Sequence, residues 1–192
     1  MTFDKLADRC LLFVDERKQM LIELLKEAEL EMTRKCNMYE DTKVFTCDGS
    51  ASYGLPSNYK QVIHIQHEGS SLVAVSESDV AFNSENEVAS GSPSAYYIRN
   101  FGIHLDTKPS TGKISLSYYG TVDNIQDASS TPSPIIPEIY HRDLCDYAIS
   151  IAYAKTDPAS HLRYLQIWAN NLNEIKGEDA DRELVHSMRR EV

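Results

Sequence analysis

Residues 54–75 read GLPSNYKQVIHIQHEGSSLVAV, and how this stretch is taken decides the fold. A proline-led start runs into a β-prone segment at 62–67. A second such segment, 72–75, follows Glu68-Gly69-Ser70-Ser71. Two runs of this kind around a Gly-containing turn predict a hairpin. The stretch also holds His64 and His67, which raises the question of a metal site. Strand side chains alternate in direction, so residues three apart face opposite sides of a sheet and do not chelate one ion. The stretch reads as scaffold, with no metal ligand set.

Working outward, the period of two persists. Val44 and Thr46 lead into Gly-Ser-Ala-Ser-Tyr-Gly at 49–54, a turn signal, and three further strands are predicted at 96–98, 102–105 and 114–119. Pro109-Ser-Thr-Gly112 joins the last two. His104, between Ile103 and Leu105, takes the polar-out place of an alternating strand. Ser76-Glu77-Ser78-Asp79 offers a cap and an acidic first turn for a short helix. The polar segment 83–94 reads as a loop. Residues 41–126 thus form an antiparallel β module of about five to six strands.

Helical periods flank this module. Thr2 can cap a short first helix to about Phe13, and Asp15 a second one towards Asn37. On the second, Leu21, Leu24, Leu25, Ala28, Met32 and Cys36 form one apolar stripe, while Met20, Ile22 and Leu30 lie off it. A helix apolar on more than one face has more than one partner layer, which is either a deep core or a subunit interface. Residues 127–136 read as a linker. Pro137 opens a helix to about Lys155, and Asp157-Pro158 caps another that stops at Gly177. Leu162, Leu165, Trp168, Leu172 and Ile175 make its stripe. The expected class is α+β. Segments 1–40 and 137–177 form a helical body, the β module is inserted, and 178–192 is an extended tail. In that tail Leu184, Met188 and Val192 recur at four-residue spacing, with Val185 beside them and Arg182, Arg189 and Arg190 around. A stripe that narrow over so short a length needs a groove on something else to be stable.

Nineteen Lys and Arg against 29 Asp and Glu leave a formal charge of −10. Tight nonspecific nucleic-acid binding needs clustered cations on the phosphates, so the balance argues against it. It is compatible with a surface over which DNA slides. The N-terminus does not read as a signal peptide, no apolar run spans a membrane, and Cys10, Cys36, Cys47 and Cys145 are scattered, as reduced thiols of the cytosol would be. His141-Arg142-Asp143-Leu144 spells the start of a kinase catalytic loop, but the metal-binding Asn five residues after the Asp is replaced by Ala148. Gly112-Lys113 lacks the glycines and preceding strand of a phosphate loop. His141 and Cys145, four apart on a helix, share a face and allow a thiol–imidazole dyad, the basis of an alternative reading as a small cytosolic hydrolase. No oxyanion hole or Gly-bounded nucleophile accompanies them, and buried cysteines on apolar helices are common. No catalytic set, metal or cofactor is expected.

The order of segments is the most informative pattern. A helical N-terminus leads to Leu55-Pro56-Ser57-Asn58-Tyr59 and a strand, then a Gly-containing hairpin. Gly91-Ser92-Pro93-Ser94-Ala95-Tyr96-Tyr97-Ile98 and Phe101-Gly-Ile-His-Leu-Asp follow, then the 109–112 turn, Ile114-Ser-Leu-Ser-Tyr-Tyr119 and an Ala/Tyr-rich helix pair. Over residues 2–176 this resembles the head-to-tail adaptor (connector, or head completion) proteins of tailed bacteriophages, most closely those of short-tailed phages. The resemblance implies a structural, non-enzymatic virion protein made in the host cytoplasm. It would act as a ring, typically of twelve copies, docked on the portal protein, closing the filled head and attaching a tail nozzle or tail tube protein. Twelve copies at −10 each carry a formal −120, part of which can face a lumen that genomic DNA traverses without specific binding. The family's habit of docking its C-terminal segment on the portal implies that role for Leu184, Val185, Met188, Arg189 and Val192. Met20, Ile22, Asn83 and Ser84 are the expected contacts to a neighbouring subunit or tail component. No membrane is involved.

Overall fold

The computed structural model describes residues 1–76, 88–122 and 133–188, with side chains in the last segment described to Asp179. The chain is α+β and divides into two compact units, one formed by residues 1–39 and 121–192, the other by 40–120.

The first unit is helical: α1 (Phe3–Cys10), α2 (Lys18–Lys35), α3 (His141–Tyr153) and α4 (Pro158–Met188), with a 3₁₀ turn at Glu138–Tyr140 before α3. Thr2 caps α1 as expected, its hydroxyl accepting from the Lys5 N–H at 3.3 Å. Asp15 does not cap α2. That helix begins two residues later, after Arg17, which has no side-chain cap, while the Lys18 ammonium pairs with Asp4 and Asp8 of α1 at 2.9 and 2.7 Å. Asp157 caps α4 through both the Ala159 and Ser160 N–H groups at 3.2 Å, with Pro158 as its first residue.

Leu6, Leu21, Leu25 and Leu144 are fully buried at the centre of the helical core, which each of the four helices lines. Leu30, off the main stripe of α2, is buried too, so within the described residues α2 uses more than one face inside its own chain. On α4 the buried line is Trp168, Leu172 and Ile175. Leu162 does not belong to it and is 64% exposed. At about 100° per residue it lies roughly 120° around the helix from Trp168, whereas Leu165 falls within about 60°.

Side chains tie the connecting segments to this core. Glu29, buried on α2, accepts the Ile135 and Ile136 N–H groups at 2.5 and 3.2 Å, fixing the approach to α3. Thr33 accepts the Val122 N–H at 3.2 Å and donates to the Leu30 carbonyl. Asp179 accepts the Asn37 N–H at 2.7 Å just beyond α2, and Tyr140 donates to Glu178 at 3.0 Å.

Those last two bonds explain a departure from the expected tail. Gly177 does not end a helix; α4 runs through it to Met188. A single internal glycine costs about 1 kcal/mol relative to alanine. Glu174, Lys176, Glu178 and Ala180 around it favour helix, and Glu178 and Asp179 hold the turn after it to the body.

Among its described residues the second unit holds eight strands in two sheets: β1 (Glu40–Thr46), β2 (Ser52–Gly54), β3 (Tyr59–His67), β4 (Ser70–Ser71), β5 (Val73–Ala74), β6 (Ala95–Arg99), β7 (Gly102–Leu105) and β8 (Lys113–Gly120). One sheet has the order β1-β8-β3-β4, the other β2-β7-β6-β5. Ile65, Ile114, Leu116 and Tyr118 of the first and Tyr53, Tyr96, Ile103 and Leu105 of the second share one core. The module has more strands than its alternation suggests because β2 lies inside the expected 49–54 turn. The expected hairpin is also shorter. Its turn is the two residues Glu68 and Gly69, both at positive φ, and only Gln66↔Ser71 and His67↔Ser70 pair. Leu72 then buries itself and the chain crosses to the other sheet, where β5 runs parallel to β6. The helix expected after Ser76 lies outside the described residues.

Two substitutions test this architecture. Gly177→Ala should stabilise the protein by about 0.5–1 kcal/mol in urea unfolding, since nothing beyond its chain neighbours and its own helix backbone lies within 4 Å of the added Cβ and φ is not positive. A helix end at this glycine predicts the opposite sign. Burial pushes the Glu29 carboxyl above its ordinary value, against the pull of the Ile136 and Ile135 N–H groups and Lys26. Stability from a carboxyl raised on folding is complete below its unfolded value and is lost as pH rises through the folded one. Glu29→Gln keeps the acceptor without the titration, so its stability relative to wild type should be greater at about pH 8 than at about pH 4. Glu29→Ala should lose about 1–3 kcal/mol at either pH, because two buried N–H groups lose their acceptor.

Candidate interaction surface

The titratable groups singled out in the sequence are engaged as structural partners. His67 is buried, with Nδ1 3.1 Å from the Ser92 hydroxyl and Nε2 3.3 Å from the Thr111 carbonyl. It pins two loops onto the end of β3, while His64 is half-buried elsewhere on the same strand. His104 is half-buried rather than exposed: it stacks on Tyr97 with centroids 4.9 Å apart and bonds the Arg99 carbonyl. Among the described residues no three His, Cys, Asp or Glu side chains are placed to hold a metal ion.

His141 and Cys145 do share α3, but each is turned to a different partner. His141 Nε2 lies 3.1 Å from the Ile136 carbonyl, and burial holds the imidazole below its usual range. Cys145 Sγ lies 3.9 Å from the Leu6 carbonyl. Asp143 and Asp146, also on α3, are raised by burial, and Asp143 accepts from Asn171 at 2.7 Å.

Several large apolar side chains face outward. In the helical unit Leu12 is 80% exposed, and Phe13, Ile139 and Met20 are exposed as well. Tyr153 donates to the Phe13 carbonyl and stacks on Tyr164, which holds the segment after α1 in place. Ile22, grouped with Met20 as an expected interface residue, is half-buried, with part of its side chain packed against the helical core. Asn83 and Ser84 lie outside the described residues. Of the C-terminal set, Leu184, Val185 and Met188 fall on α4, while Arg189 and Val192 lie outside the described residues.

In the β unit the most exposed large apolar side chain among the described residues sits on the β6–β7 hairpin. Arg99 pairs with Gly102, so the turn is Asn100-Phe101, with φ of 49° and 59°. Both central residues of such a tight turn need positive φ, a place for Asn or Gly. A bulky aromatic there is strained, and Phe101 is 88% exposed. Its carbonyl accepts the Leu55 N–H at 2.9 Å, which fixes the turn, and the nearby Ile98 is exposed too. Sequence reasoning missed this residue; the available signal was a Phe between Asn100 and Gly102, where turn formers are favoured.

Several described histidines and carboxylates of this α+β chain act as ties, and exposed apolar side chains stand at a hairpin tip and after a helix, the kind of surface that contact with other proteins covers. The particular family follows from comparison with known proteins. A family model described as SU10 adaptor protein matches residues 1–190, and the chain belongs to that family of bacteriophage head-to-tail adaptors. No curated protein matches it. The family makes it a phage structural protein and virion component that works with other head and tail proteins. No helix among the described residues is long and apolar enough to cross a membrane.

The strain at the hairpin turn has a measurable consequence. Phe101→Gly should stabilise the isolated subunit by about 1 kcal/mol, because glycine adopts positive φ without the side-chain penalty. Equilibrium unfolding of the two proteins checks it; a loss of stability would mean that Phe101 packs rather than projects.

Proposed function

We propose that this protein is the adaptor ring of a short-tailed phage type, docking on the portal, closing the DNA-filled head and carrying the tail nozzle or tail tube protein at the head–tail junction. The ring would hold twelve copies. Its acidic balance would keep the lumen from gripping the duplex, since like charge repels the phosphates as they pass.

The observation that carries the portal assignment is the length and anchorage of α4. Its 31 residues span about 46 Å at 1.5 Å per residue. Glu178 and Asp179 clamp it to Tyr140 and Asn37, and it continues to Met188. Leu184, Val185 and Met188 are thereby carried on a helix that is anchored one to three turns earlier. In this reading they seat in a portal groove, with Arg189 and Val192 following. Met20 and Ile22 are proposed to meet the neighbouring subunit, and Asn83 and Ser84 the neighbour or the tail.

The cut that tests this reading falls after Ala180, which leaves the Glu178 and Asp179 ties in place. The shortened chain should stay folded by circular dichroism, keep its melting temperature within about 3 °C, and no longer bind purified portal rings. Unchanged portal affinity in a folded, shortened chain would remove the C-terminal segment from the portal contact.

A further inference from the structure

We propose that Cys10 and Cys145 are a paired dithiol that closes into an intramolecular disulfide across the α1–α3 seam when it meets a two-electron thiol oxidant of the disulfide or diazene class. Both cysteines are reduced and buried in the helical core. They are 135 positions apart in the sequence and meet because α1 packs on α3. Cys145 Sγ lies 3.9 Å from the Leu6 carbonyl, one turn before Cys10, and the two thiols hydrogen-bond each other. The other cysteines stand elsewhere: Cys36 Sγ is 3.9 Å from the Leu172 carbonyl, and Cys47 belongs to the β unit.

The pair is also polarised. Cys10 donates its S–H to Cys145, which lowers the Cys145 thiol and raises that of Cys10, with burial adding to the rise. The bond forms by the same two steps whichever thiolate attacks first; with Cys145 as the attacking one they run in this order. With a disulfide oxidant its thiolate attacks one sulfur, forming a mixed disulfide and releasing one thiolate, which takes up the proton. Cys10, on losing its proton, attacks Cys145 Sγ and expels the second thiol. The cysteines lose two electrons and two protons, and the oxidant's S–S bond receives both. A diazene such as diamide does the same through its N=N bond and leaves as the hydrazine.

The closed loop from residue 10 to residue 145 contains α2 and the whole β unit. Loops this long constrain the unfolded chain most. A reducing cytoplasm keeps the dithiol open, and oxidising surroundings favour the bond. Its use as a lock on a released particle rests on the virion reading; the bond itself does not, and is tested on the isolated chain.

The full-length protein is incubated with diamide under native conditions, then alkylated in denaturant and mapped by peptide mass. The expected product is a Cys10–Cys145 cross-linked peptide two hydrogens lighter than the dithiol, with Cys36 and Cys47 alkylated. The melting temperature should rise by about 5–10 °C and fall back on reduction. Cys36→Ser should give the same bond and the same rise. Four alkylated cysteines, a bond involving Cys36 or Cys47, or a Cys10–Cys145 bond that leaves the melting temperature unchanged or lower would each overturn the proposal.

Discussion

Glu40 sits opposite Tyr119, and the antiparallel pairing of β1 with β8 runs from there without a break to Thr46 opposite Lys113. The chain leaves its helical unit after Tyr39 and rejoins it at Thr121, so this pairing brings exit and return side by side. Without it, α1 and α2 would be separated from α3 and α4 by a loose loop of some eighty residues, and the shared helical core could not close at a low entropic cost. Thr33 completes the constraint by holding the Val122 N–H against α2. The inserted unit and the interrupted one therefore depend on the same ladder.

Polar side chains in the helical unit act mainly on backbone. Glu29, Thr33 and Asp179 each take up N–H groups of segments that join helices rather than of helices themselves. Segments that pass through a core carry N–H groups that must find an acceptor, and a carboxylate can satisfy two at once. The cost is a buried charge, visible at Glu29 as a carboxyl raised by desolvation. The gain is that, among the described residues, the stretches flanking α2, α3 and α4 are tied to the helical core by side chains.

The β unit shows the complementary device. Its core is ordinary, but the β6–β7 turn places Phe101 in a conformation that asparagine or glycine would adopt with less strain. Strained, exposed aromatics and single apolar side chains such as Leu12 do nothing for the isolated fold. They fit a protein whose family joins head to tail by contact with other virion proteins.

The sequence by itself determined what local chemistry controls. The periods of two and 3.6 separate sheet from helix, Thr2 and Asp157-Pro158 start their helices where caps should, and the order of segments carries the adaptor resemblance. Tertiary structure alone decided what depends on neighbours distant in the chain. Gly177 reads as a stop, and only the ties of Glu178 to Tyr140 and of Asp179 to Asn37 show why the helix continues. Residues 72–75 read as the second arm of a hairpin, and only the shared core of the two sheets explains why Leu72 turns in and the strand changes partner. Leu162 fits an apolar count but not the angle set by the buried line of α4. The meeting of Cys10 with Cys145 has no local signal at all, because the spacing of cysteines says nothing about which helices pack.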